Sequence, residues 1–205
     1  MKLEGYSVPG NILPDIITVS HLHIDHNNIG AVSGEPVVLQ GMTGPLNNGL
    51  KQNFVFIDTT INDVRIYSVE SNHNKPGISP ILNAIFVFEF DGIRVAHLGD
   101  LGVILTEKQL VEIGKINVLM IPVGGKYTLS LEEADQVVKQ INPAQIVFPI
   151  HFRTRNALFL PNSAEDFLNN KQNVRKISSN QFILKPDSPL QTLHYILPDY
   201  KKIEK

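Results

Sequence analysis

The chain has 205 residues, 42% of them apolar and 19% charged, enough for a single domain over 1–205 with a sizeable core. A formal net charge of −2 supplies no broad basic field, so nucleic acid is not the expected partner. There is no cysteine, which excludes disulfides, thiolate metal ligands and a cysteine nucleophile.

The opening Met1-Lys2-Leu3-Glu4-Gly5 lacks a basic region followed by an apolar segment. No apolar run is long enough to span a bilayer, so a soluble cytoplasmic protein with no membrane partner is expected. The first apolar run, Ile16-Ile17-Thr18-Val19-Ser20, reads as a buried strand. Directly after it stands His21-Leu22-His23-Ile24-Asp25-His26, with three histidines and an aspartate in six residues. Alternate side chains of an extended backbone share a face, so His21 and His23 project together. The chain must then turn, which swings Asp25 and His26 toward the same spot. Imidazole nitrogens and a carboxylate suit a borderline divalent cation, zinc first, with manganese and iron compatible with the same nitrogen and oxygen shell. Four ligands from so short a stretch crowd one site, and two adjacent metals are expected.

Further strands are expected at Val37–Leu39, Phe54–Ile57, Val64–Val69, Ala84–Phe90 and Ile93–Leu98, with Asp91-Gly92 as a hairpin turn. His73 stands in the polar loop Ser71-Asn72-His73-Asn74, unremarkable by itself. The run Val95-Ala96-His97-Leu98-Gly99-Asp100 delivers Gly-Asp at a strand exit, where Asp100 is either a turn residue or a carboxylate placed to bridge cations. His97 faces away from Asp100 on a regular strand, which favours a supporting or core role. Thr106 caps a helix over Glu107–Ile113, closed by Gly114. A strand at Val118–Pro122 precedes Gly124-Gly125, read as a tight turn. Ser130 and Glu133 form a capping box; Ala134, Val137, Val138 and Ile141 follow at helical spacing until Pro143. The strand Ile146–Ile150 delivers His151, and Ser163 caps a short helix through Leu168. Weak strands are expected at Phe182–Lys185 and Thr192–Leu197, the latter holding a structural His194. The order implies antiparallel sheet first and βαβ units later, a layered α/β domain with sheets inside and helices outside. Lys126, Tyr127, Arg153 and Arg155 follow strand ends, where they receive a carboxylate or phosphate or are simply solvated loop residues.

With these landmarks in this order, the chain resembles the metallo-β-lactamase superfamily of metal-dependent hydrolases, whose main signature is His-x-His-x-Asp-His. The stretches His97-Leu98-Gly99-Asp100-Leu101-Gly102, Ile121-Pro122-Val123-Gly124-Gly125-Lys126-Tyr127-Thr128 and Pro149-Ile150-His151-Phe152-Arg153-Thr154 resemble a largely uncharacterised group related to the ascorbate-phosphate lactonases. The resemblance runs from about Pro14 to Thr154. It implies an αββα sandwich, two mixed β-sheets between helices, here shortened at the N-terminus. It further implies that His21, His23 and His73 hold one metal, that Asp25, His26 and His151 hold a second, and that Asp100 bridges them beside a shared water or hydroxide. Asp25 and Asp100 are then the catalytic carboxylates, Asp25 orienting the nucleophile or shuttling its proton, with Lys126, Tyr127 and Arg153 toward substrate. The implied reaction is hydrolysis of an ester, lactone, amide or phosphoester of a small, anionic metabolite by a metal-bridged hydroxide.

Two departures from the family pattern stand out. Few residues precede Ile16, so the usual first strands and the aspartate that buttresses the His-rich loop are expected to be missing, with Asp15 no evident substitute. Asn74 stands where close relatives often carry aspartate. A missing sheet edge leaves open a homo-oligomer formed by edge pairing, or a catalytically silent metal-binding or partner-binding domain. A nuclease is the competing enzymatic reading.

Overall fold

The computed structural model describes residues 13–45, 52–74, 81–179, 181–184 and 190–200, so Met1 to Gly5 and Lys185 lie outside it. The strands are β1 (Ile16–Val19), β2 (Val37–Gln40), β3 (Met42–Thr43), β4 (Asn53–Phe54), β5 (Asp58–Ile61), β6 (Val64–Asn72), β7 (Leu82–Phe90), β8 (Ile93–His97), β9 (Val118–Pro122), β10 (Ile146–Ile150), β11 (Val174–Lys176) and β12 (His194–Leu197). The helices are α1 (Glu107–Ile113), α2 (Leu131–Ile141) and α3 (Ala164–Leu168), with a 3-10 turn at Ile29–Ala31.

Among the described residues, eight strands form one mixed sheet in the order β11-β12-β10-β9-β8-β7-β6-β5. From β5 to β8 the pairs are antiparallel. From β8 onward they are parallel, with α1 and α2 as the crossovers between β8, β9 and β10. The hairpin between β7 and β8 turns on Asp91 and Gly92 at φ 48° and 71°, the twist that suits a two-residue hairpin. Each α-helix starts with a reciprocal capping box, Thr106 with Gln109, Ser130 with Glu133 and Ser163 with Asp166, so helix starts are fixed by local chemistry. The second helix stops at Asn142, in the left-handed region, one residue ahead of Pro143.

Alternation along the strands sorts side chains onto two faces. On one face Tyr67, Val69, Ile85, Val87, Leu98, Leu119, Ile121 and Val147 pack with Ile113, Ala134, Val137 and Phe167 from the three helices. On the other, Ile66, Ala84 and Phe86 meet Leu22 and Met42 from the N-terminal layer. This layer consists of a parallel pair, β1 with β2, and an antiparallel pair, β3 with β4. The fold is thus the expected layered α/β architecture, with the three helices gathered on one side.

Several segments differ from expectation, the short strands β3 and β11, unanticipated from sequence, among them. Of Phe54–Ile57 only Phe54 is in a strand, because the Ser68 hydroxyl accepts from Ile57 N–H (2.8 Å) and donates to Val55 C=O (2.9 Å), taking a ladder partner's place. The described part of Phe182–Lys185 joins no strand; Phe182 and Leu184 instead cover the sheet face formed by Ile93, Val118, Ile146 and Ile196. The strand β5 carries little apolar signal, being an edge strand of sequence Asp-Thr-Thr-Ile paired only to β6. Leu119, fully buried between sheet and helices, tests this core: Leu119→Ala is expected to cost about 3 kcal/mol in urea unfolding with an unchanged slope.

Candidate metal centre

The sheet directs four segments to one edge. Both β6 and β8 run antiparallel to β7, and β9 and β10 run parallel to β8, so β6, β8 and β10 share a direction. His73, Asp100 and His151 follow their C-terminal ends. The His-rich stretch follows β1 and is tied to the large sheet by Ala84 N–H donating to Ser20 C=O at 2.8 Å. A turn closed by His26 N–H on His23 C=O (3.0 Å) folds the stretch back on itself. Two glycines make the crowding tolerable. A Cβ on Gly102 would lie 1.7 Å from His73 O, and one on Gly124 would lie 2.2 Å from His151 O. Gly124 therefore admits the His151 backbone, while its neighbour Gly125, at φ 73°, makes the tight turn.

At the centre, Asp100 Oδ2 lies 3.4 Å from Nε2 of His26, His73 and His151, and 3.8 Å from Nε2 of His21. His21, His23 and His73 present donor atoms within 4.8 Å of one another, and so do His21, His26 and Asp100. The His23 and His73 rings lie 4.9 Å apart, and those of His26 and His151 stack at 5.8 Å. Asp25 stands at the exposed rim, its Oδ2 3.5 Å from His26 Nε2. His21, His73 and Asp100 are buried beneath it. Every residue expected to bind metal is thus brought to this edge, with His21 common to both compact groups.

Burial acts on three of the imidazoles. It pushes His21 down to about 2 and lowers His23 and His97 as well. Burial pushes the Asp100 carboxyl up, but a hydrogen bond from His73 and the fields of His26, His151 and His21 outweigh it and hold the group well below the usual carboxylate range. His21 and His23 thus stay neutral beside an ionised carboxylate, the forms that ligate a cation. His21 Nδ1 sits 3.0 Å from the Ser20 hydroxyl, which leaves a buried Nε2 with no hydrogen-bond partner facing the centre. An orphaned buried nitrogen among nitrogen and oxygen donors fits a borderline divalent cation.

The remaining sites sort by their contacts. His97 belongs to neither compact donor group; its Nδ1 accepts from Gly99 N–H at 3.1 Å and stiffens the turn before Asp100. Asn74 accepts through Oδ1 from Ile81 N–H (2.8 Å), anchoring the start of β7. Asp15 is exposed and receives Val37 N–H on its carbonyl. His194 joins β12 to β11 through a 3.0 Å contact with Arg175. Lys126 and Tyr127 are exposed on the loop after β9, the ammonium 4.8 Å from the Tyr127 ring centroid. The Arg153 guanidinium donates to Pro161 C=O (2.6 Å) and pairs with Asp166 at 3.3 Å, so it clamps the loop ahead of α3; Arg155 is exposed. Sequence reasoning missed Ser20, Asn83 and Phe159. Phe159 sits 6.3 Å from Tyr127, ring to ring, and only its large exposed apolar side chain marks it.

Residues 4–151 match the family model described as the beta-lactamase superfamily domain. A UPF0173 metal-dependent hydrolase of Methanosarcina barkeri is 26% identical over 196 residues, 87% of this chain and 81% of that protein. A protein of the same description from Natranaerobius thermophilus is 31% identical over 115 residues; that match covers 56% of this chain and about half (50%) of the relative. The crystal structure of a Thermotoga maritima protein, described as a Zn-dependent hydrolase of the metallo-β-lactamase superfamily, superposes with a TM-score of 0.71 at 29% identity, covering 96% of this chain and 92% of that one. The chain belongs to the metallo-β-lactamase superfamily. The class that fold, donors and relatives define together is a metal-dependent hydrolase. Among the described residues no helix is long and apolar enough to cross a membrane.

The lowered histidine pKa values predict how the metal-free protein responds to acid. Unfolded, these imidazoles take up protons below about pH 6.5; folded, they stay neutral to lower pH. The stability is therefore full above that pH and lost progressively as the pH falls below it. Thermal unfolding in chelator is expected to show a falling Tm between about pH 7 and pH 5, and a flat profile would contradict the assignment.

Proposed function

We propose that the protein binds two divalent cations and hydrolyses an ester, lactone, amide or phosphoester bond of a small, anionic metabolite. The observation that carries this reading is Asp100 Oδ2, 3.4–3.8 Å from the Nε2 atoms of four histidines. In the proposed arrangement His21, His23 and His73 would hold one cation and Asp25, His26 and His151 the other, with Asp100 available to both. Zinc is favoured by the imidazole-rich donor set and by the zinc-dependent description of the Thermotoga maritima protein. When bound, such cations acidify water toward neutral pH and polarise the group under attack.

The chain's own groups do the rest. The exposed Asp25 carboxylate, at the rim, orients the attacking water and accepts its proton on Oδ2. Asp100, buried and ionised, keeps the surrounding histidines oriented toward the centre. Lys126 meets the anionic group of the substrate, while Tyr127 and Phe159 form an apolar wall beside it. Those two aromatics ride on loops bonded to each other through Asn162 N–H on Gly124 C=O, and the loop that begins at His151 is closed on itself by Arg153 N–H on Asn162 C=O.

Elemental analysis of purified protein is expected to find about two divalent ions per chain; less than one tightly bound ion would sink the two-cation arrangement. His23→Ala and Asp100→Ala are each expected to abolish hydrolysis in a screen over lactones, phosphodiesters, simple esters and nucleic acids run with zinc, manganese and iron, with the circular dichroism spectrum retained. Wild-type rates in either variant would refute the site. Lys126→Ala is expected to raise KM for an anionic substrate about tenfold while leaving kcat nearly unchanged; a lowered kcat at constant KM would remove Lys126 from substrate binding.

A further inference from the structure

We infer that Asn83 is a positioning residue that aims Asp100 into the metal centre, an inference that rests on the reading of that centre as a cation site. Asn83 lies in β7, between Leu82 and Ala84, and is fully buried. A primary amide costs free energy there unless its donors and acceptor are bonded. Its Nδ2 donates to Ser71 Oγ at 2.8 Å and to Leu98 C=O at 2.9 Å, and its Oδ1 accepts from Asp100 N–H at 3.0 Å. Ser71 Oγ donates in turn to Asn83 C=O at 2.9 Å. One side chain thus joins the strand that leads to His73 with the turn that carries Asp100.

The turn itself leaves little freedom. Leu98 C=O and Asp100 N–H are both taken by Asn83, and Gly99 N–H is taken by His97 Nδ1. Gly99 stands at φ 58°, and a Cβ there would lie 2.3 Å from Asn83 Oδ1 and 2.8 Å from Ser20 Cβ. The amide is therefore packed directly against the turn, next to the serine whose hydroxyl faces His21 Nδ1. Asn83 bonds Asp100 through the backbone N–H, so it fixes where that residue points and adds no charge to the centre. A leucine of similar size would suit the core but leave Leu98 C=O and Asp100 N–H unbonded inside the protein.

The test compares Asn83→Leu, Asn83→Asp and Ser71→Ala with the wild type by Co2+ titration, visible absorption of the Co2+-loaded protein, circular dichroism and Tm. The Asn83 variants are expected to stay folded, to bind Co2+ about 10–100-fold more weakly and to show displaced visible bands. Ser71→Ala, which loses one anchor of the amide, is expected to show a smaller loss in the same direction. A lowered Tm with wild-type Co2+ affinity and bands would make Asn83 merely structural and overturn the inference. Should Asn83→Leu fail to fold, unchanged affinity and bands in both Asn83→Asp and Ser71→Ala would overturn it equally. A wild-type chain that takes up no Co2+ refutes the cation site itself and the inference with it.

Discussion

A buried, ionised carboxylate facing four imidazoles is the constraint around which the molecule is arranged. Burying Asp100 costs several kcal/mol of lost hydration, and only favourable surroundings make it tolerable. Those surroundings come from far apart in the chain: one layer supplies His21 and His26, and three parallel strand ends supply His73, Asp100 and His151. The close backbone approaches at Gly102 and Gly124 serve the same end, because no side chain fits where those segments must pass. The candidate centre thus sits where the antiparallel half of the sheet meets the parallel half, at the exit of β8.

The legible parts of the fold were those settled by local chemistry. Thr106, Ser130 and Ser163 start their helices at the residues their capping boxes specify, because the bonds span only three positions. The strands Val118–Pro122 and Ile146–Ile150 were legible to the residue, since runs in the middle of a parallel sheet are apolar on both faces. Apolar character alone misled at Phe182 and Leu184, which are apolar because they cover a sheet and not because they join one. The edge strand β5 failed for the opposite reason, since a strand half exposed at an edge needs no apolar run.

The candidate site was legible through density and order, and less so through its supports. Three histidines in a hexapeptide cannot be read as routine, and His73, Asp100 and His151 gained meaning only beside it. Ser20 and Asn83 stayed silent because a serine after a strand and an asparagine inside one are commonplace by themselves. Their significance lies in what they face, His21 Nδ1 and Asp100 N–H, and that is a property of tertiary packing. Arg153 shows the reverse: a cation in a promising place that the structure spends on Pro161 and Asp166. Family membership settles the scaffold, while the proposed substrate contacts fall on the loops carrying Lys126, Tyr127 and Phe159.

The donors belong to two separate layers, and this has a consequence beyond chemistry. The segment after β1 reaches the large sheet through few backbone links, such as Ala84 N–H on Ser20 C=O. A cation held jointly by His23 and His73, as proposed, would tie together segments that lie fifty positions apart in the chain. Such an ion would act as a removable cross-link, its binding free energy adding to the free energy of folding. A chain deprived of it opens more often and meets proteases more often. Proteolysis of the chelated chain is then expected to outpace that of the ion-loaded one, with no change in either layer's own packing.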